Sequence, residues 1–156
     1  MRPVDRADVR WLLGRLGPEA AYGLRLVELA ASPGDWRRDP LRFGRLMVPG
    51  RIQLYDQPKP PWDLPASLPR DAATRLERAG ARVHDGVGRS TVHWPGESLR
   101  VFFLFDVLLH ELGHHRVQHE TGKRQVRTMR TRDHEQAASL WAERWRSVLL
   151  PWQQSR

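Results

Sequence analysis

VFFLFDVLLHELGHH, residues 101–115, is the stretch on which the fold turns. Its first nine residues are apolar except for Asp106. A helix that is apolar all round belongs in the middle of a protein, not on its surface. The stretch then changes character within one turn, to HELGH at residues 110–114. His110 and His114 are four apart, so on a helix they stack on one face and both imidazoles can reach one ion. Glu111 follows His110 by about 100° around the helix. It stands beside the pair, where it can reach a water at the metal without being a ligand. A bare HExxH is a short pattern, and its setting gives it weight. Polar rings at the end of a buried helix need partners for their nitrogens, and Gly113 between them lets another element approach closely.

With no cysteine in the chain, any metal must sit on His, Asp or Glu. Zinc suits neutral imidazole, and a catalytic zinc takes three protein ligands with one position left open. Two candidates for the third ligand stand side by side in RTRDHEQAASLWAERW, His134 and Glu135. Ala137, Ala138, Trp141, Trp145, Val148 and Leu149 make an apolar stripe on that last helix. His134 falls near the centre of the stripe and Glu135 near its edge. A ligand belongs where core meets cleft, which suits Glu135, yet helical periodicity leaves the two even.

The pair HELGHH and EQAASLWA resembles the gluzincin metallopeptidases, in particular the compact ImmA/IrrE-type minigluzincins. These carry a glutamate ligand on the following helix, with Ala three residues later and an aromatic-Ala pair beyond. Glu135, Ala138, Trp141 and Ala142 fit that spacing. The lead-in STVHWPGESLRVFFLFDVLL is similar too, and the resemblance spans roughly residues 90–145. It implies a zincin-like α+β fold and a zinc-dependent metallopeptidase. It also implies a metal site of His110, His114 and Glu135, with Glu111 as general base. A histidine third ligand, His134, would instead resemble the SprT-like DNA-associated proteases. A third reading is a non-catalytic, zinc-stabilised regulatory or DNA-binding module, and Glu111 argues against it, because a structural site needs no base beside the water.

Other residues invite a role. Asp106, one turn before His110, could orient a ligand histidine or pair with a neighbouring basic side chain. His115 and His119 stack with each other but lie well round from His110, and read as surface or packing residues. His93, Tyr55, Tyr22 and several arginines are candidates to stabilise an oxyanion. The strand STVHW, if it lies at a sheet edge, could align an extended peptide across the zinc. GKRQVRTMRTR, residues 122–132, reads as a solvated basic loop that could also steer an acidic substrate.

The net charge is +8, from 26 Lys+Arg against 18 Asp+Glu. That leaves nucleic acid open as a partner beside the expected peptide or protein substrate, although a solvated arginine surface explains the charge as well. The longest apolar run is interrupted by Asp106 and is far short of the roughly 20 residues needed to span a bilayer. The N-terminal residues lack the pattern of a secretory signal. The expectation is a soluble, cytoplasmic protein.

The 156 residues suit one domain, taken as residues 1–156. DRADVRWLLGRLG predicts a helix capped by Asp5, stopped by Gly17, with Val9, Leu12, Leu13 and Leu16 inward. PEAAYGLRLVELAAS is ambiguous between helix and strand. FGRLMVPGRIQLYD predicts two strands turning at Pro49-Gly50. QPKPPWDLPASLP holds five of the twelve prolines and reads as a loop. DAATRLERAG predicts a helix capped by Asp71, and ARVHDGVGRSTVHWPG a hairpin. A helix over about 98–121 and another over about 132–150, closed by Pro151, complete the chain. The sum is a small mixed sheet packed on helices, with the zinc site between the last two.

Overall fold

The computed structural model describes residues 1–34, 39–47, 49–120 and 132–154, the last three as backbone alone. The class is α+β. The strands form two three-stranded sheets rather than one. In the first, β1 (Leu26–Ala30) runs parallel to β3 (Arg51–Tyr55), and β2 (Gly44–Met47) is antiparallel to β3, giving the order β1-β3-β2. In the second, β4 (Trp62–Leu64) and β5 (Arg82–Gly86) flank β6 (Arg89–His93), all antiparallel.

Local chemistry accounts for most elements. Helix α1 (Arg6–Leu16) opens with a reciprocal capping box, in which the Asp8 N–H donates to Asp5 at 2.9 Å and the Asp5 N–H to Asp8 at 3.0 Å. It ends at Gly17, whose φ of 80° suits glycine. Val9, Leu12 and Leu16 are buried, and Leu13 packs against the core's margin. Arg100 holds Asp8 from across the molecule, its Nε donating at 2.9 Å. The ambiguous stretch after Pro18 resolves into turns and then β1. The hairpin at Pro49-Gly50 forms as its residues suggest.

Three expectations need correction. The proline-rich stretch contains β4. Trp62 and Leu64 point inward around exposed Asp63, an alternation that prolines at 61 and 65 bracket without interrupting. β4 lies at the edge of its sheet, where flanking prolines are tolerated. Helix α2 (Arg70–Arg78) starts two residues earlier than a cap at Asp71 predicts. Pro69 occupies the cap position and Asp71 sits in the first turn, where its charge favours the helix dipole instead of capping an N–H. The last helix, α5 (Arg132–Gln154), runs through Pro151. Proline's fixed φ matches a helix, and so near the end it removes only one N–H donor.

The long central helix is also not uniform. It consists of α3 (Ser98–Phe102), a π-helical segment (Phe103–Leu108) and α4 (Leu109–Glu120), and the expected stop at Gly122 lies outside the described residues. All six residues of the π segment are buried. Around it, Phe43 meets Phe102 edge-on at 4.9 Å, Trp94 lies 5.1 Å from Phe102, and Trp62 lies 5.2 Å from Trp94. These rings join both sheets to the central helix. Each fully buried ring of this size contributes about 1.5–3 kcal/mol relative to exposure. No helix among the described residues is long and apolar enough to cross a membrane.

Candidate metal centre

Helix α4 stacks the rings of His110 and His114, with centroids 4.6 Å apart and planes nearly perpendicular at 86°. Their Nε2 atoms stand 3.0 Å apart. An Oε2 of Glu135 lies 3.4 Å from the first and 3.3 Å from the second. A tetrahedral ion with ligand bonds of about 2.0–2.1 Å separates its ligand atoms by about 3.3 Å. The three observed edges lie close to that value. Among the described residues these three form the group able to hold a metal. His134, partly buried and next in sequence, is not part of it.

The reason lies in how the two helices cross. A Cβ added at Gly113 would stand 2.6 Å from the Ala138 carbonyl oxygen and 3.0 Å from the Ala138 Cα. α5 therefore rests directly on the gap between the two histidines. Its fully buried line is Ala138, Ala142 and Leu149; Trp141 and Trp145 of the predicted stripe pack half-buried against the core, while Ala137 and Val148 are exposed. Glu135 precedes Ala138 by three residues, so it continues that line to the level of the imidazoles. His134 is turned about 100° away from it.

Exposure grades across the group. His114 is 2% exposed in its side chain, His110 19% and Glu135 40%. The centre thus opens to solvent on the Glu135 and His110 side. Glu111 is buried, at 5% exposure.

Asp106 does not sit one simple helical turn before His110, because the π segment intervenes and widens the turn. Its buried carboxylate pairs with Arg146 and lies 3.6 Å from Arg78. Of the two roles read for it, pairing with basic side chains is the one seen. Burial pushes this carboxyl upward and the Arg146 charge opposes the shift. The Asp106 carbonyl accepts an N–H of Arg75 at 2.7 Å.

Two hollows flank His110. One, of about 480 Å³, lies along β2 and is lined by Arg42, Gly44, Arg45, Arg75, His110 and Glu111 among others. The second, of about 270 Å³, includes Arg75, Asp106, His110, Glu135 and Ser139. Gly44 lets β2 lie close against the central helix, since a Cβ there would meet Val107 at 3.2 Å. β2 is an edge strand, whereas β6, the strand expected to align a peptide, is the central strand of its sheet. The edge beside the metal group is therefore β2.

Of the candidates suggested for oxyanion stabilisation, arginines line both hollows, while the three other named residues go elsewhere. His93 is exposed on β6 beside His84, Tyr55 is buried in the first sheet, and Tyr22 meets His119 edge-on. None of the three lines either hollow. His115 contacts the Tyr22 carbonyl at 3.0 Å, and burial lowers its pKa below the usual histidine value. His115 and His119 thus pack against the turn around Tyr22, in keeping with a packing role. The basic stretch 122–131 lies outside the described residues. Arg75 is the site residue that sequence reasoning did not single out. It reaches the centre from a helix more than thirty positions away, and no local pattern marks it. No family model, curated protein or solved structure matches the chain.

Proposed function

We propose that the protein is a zinc-dependent metallopeptidase of zincin-like architecture, holding its metal on His110, His114 and Glu135. The observation that carries this reading is the near-tetrahedral spacing of those three ligand atoms, with edges of 3.0, 3.3 and 3.4 Å. The donor set supports it too. Two imidazoles and one carboxylate, with no thiolate, match an open catalytic zinc site better than a closed structural one. A bound zinc would supply Lewis acidity, activating a water and polarising a carbonyl.

The chain's own residues have distinct tasks. His110 and His114 bind as neutral rings fixed by one helix face. Glu135 brings a negative charge from the opposing helix, which lowers the net charge of the loaded site. Glu111 takes the proton from the attacking water and passes it to the departing amine. Its burial keeps that carboxylate out of bulk solvent. The free edge of β2 runs beside the hollow that holds His110 and Glu111. An extended peptide can pair with it through main-chain hydrogen bonds and lay one bond across the centre.

The test combines elemental analysis with a peptide-library cleavage screen. Wild type should carry about one zinc per chain and cleave, Glu135→Ala should lose zinc, and His134→Ala should keep it. Glu111→Gln should keep zinc and lose cleavage by on the order of 10²-fold or more. Retained cleavage in Glu111→Gln, or zinc lost only with His134→Ala, would sink the assignment. A well-folded wild type purified without chelator and free of zinc would do the same.

A further inference from the structure

Arg75 is anchored on two sides. One N–H is given to the Asp106 carbonyl, and the guanidinium sits 5.7 Å from the centre of the Phe102 ring. Its neighbours Arg78 and Arg146 are both committed to Asp106, and Arg78 also to Glu143. Arg75, by contrast, has no carboxylate in direct ion-pair contact among the described residues. Protein atoms crowd it enough that desolvation lowers its pKa, with the charges of Asp106, Glu111 and Glu135 opposing the shift. Its side chain nonetheless remains open to solvent through the cleft.

A guanidinium carries five N–H donors in a planar fork that fits a carboxylate with two parallel bonds. With one N–H fixed on the Asp106 carbonyl and no carboxylate in direct contact among the described residues, Arg75 keeps donors available for one. It lines both hollows on either side of His110. In the hollow along β2, Arg42 and Arg45 join it, against only Asp39 and Glu111. Arg42 lies over the Tyr55 ring and Arg45 donates to Gln53, and among the described residues neither is in ion-pair contact with a carboxylate. The local balance along the β2 edge thus favours an incoming anion.

We propose that Arg75 selects the substrate, pairing its guanidinium with the carboxylate of an Asp or Glu side chain adjacent to the bond presented to His110 and Glu111. The proposal rests on the peptidase reading and deepens it, naming acidic peptides as the substrate class. Arg75 is a specificity-determining residue here, not a proton carrier.

The test reads binding separately from turnover. Fluorescein-labelled peptides, matched in pairs with Glu or Gln at each position flanking a central bond, are titrated by anisotropy into zinc-loaded Glu111→Gln protein. At one flanking position the Glu peptide should bind at least roughly tenfold tighter than its Gln partner. The ratio should fall to near one when Arg75→Gln is added, and Arg75→Lys should keep part of it, because charge survives while the fork is lost. Melting curves establish that each variant folds, and Arg75→Lys serves if Arg75→Gln does not. Equal binding of Glu and Gln peptides, or a preference that survives Arg75→Gln, overturns the proposal. A uniform loss of wild-type turnover on all peptides in Arg75→Gln, with no Glu/Gln difference, would also overturn it and place Arg75 at the reacting carbonyl. Acidic preference without any cleavage by wild type would uphold Arg75 and remove the hydrolytic reading. Cleavage without the preference would do the reverse.

Discussion

Gly113→Ala tests whether the helix crossing builds the metal centre. In an isolated helix the change favours folding by about 1 kcal/mol. Here the new Cβ would stand 2.6 Å from the Ala138 carbonyl oxygen. Comfortable carbon–oxygen contacts are about 3.3–3.6 Å, so α5 must retreat by about 0.7–1 Å. Overpacking of this kind costs about 1–3 kcal/mol, leaving a net loss of about 0–2 kcal/mol after the propensity gain. The larger effect is on the metal. A retreat of that size carries Glu135 out of the tetrahedral spacing, since metal sites tolerate only about 0.2 Å. Zinc affinity, measured by competition with a chromophoric chelator, should fall at least about tenfold while the melting temperature of the metal-free protein falls by no more than about 8 °C. Because the contact is to Ala138 backbone atoms, adding Ala138→Gly should not rescue binding. Wild-type affinity in Gly113→Ala, or full rescue by Ala138→Gly, would show that the crossing does not position Glu135.

Two further predictions concern charge. Arg146→Met strips the buried Asp106 carboxylate of its direct partner and should cost about 3 kcal/mol by denaturant titration. Adding Asp106→Asn should recover part of the loss, and a purely additive double variant would argue against the pairing. On the first sheet, Glu28 accepts from Gln53 at 2.8 Å and from the Arg51 Nε at 3.1 Å, and these bonds hold its carboxyl below the usual 4.5. A depressed carboxyl pKa stabilises the fold above the unfolded value and loses that contribution as pH falls through the folded one. The melting-temperature gap between wild type and Glu28→Gln should therefore be present near about pH 6 and close below about pH 4. A gap that does not change with pH would count against it.

What the sequence made legible was mostly local. The i, i+4 histidines, the Asp5 cap and the turn at Pro49-Gly50 all follow from spacing a few residues long. What it hid depends on contacts between distant segments. The rotation of α5 is set by Ala138 resting on Gly113, so the apolar stripe read from that helix alone included exposed Val148 and left His134 and Glu135 level. β4 is only three residues long and exists because β6 offers it a partner. The order of strands, which makes β2 an edge and β6 central, is a tertiary fact with no one-dimensional signature. Arg75 belongs to the same class, recruited from α2 by a carbonyl 31 positions away.

The π segment before α4 works as an angular offset. Each extra residue in a wide turn advances everything downstream by about 100° relative to an uninterrupted α-helix. Phe103–Leu108 is packed on all sides, so its hydrogen-bond pattern is held by its surroundings and not by local preference. Removing a single residue there would give a more regular helix whose inner rings could still find apolar neighbours. His110 and His114 would then face about 100° away from Glu135, and Arg75 would lose the Asp106 carbonyl that holds it. The aim of the histidine pair is thus written one turn upstream, in how many residues the phenylalanine-rich segment spends on a single revolution.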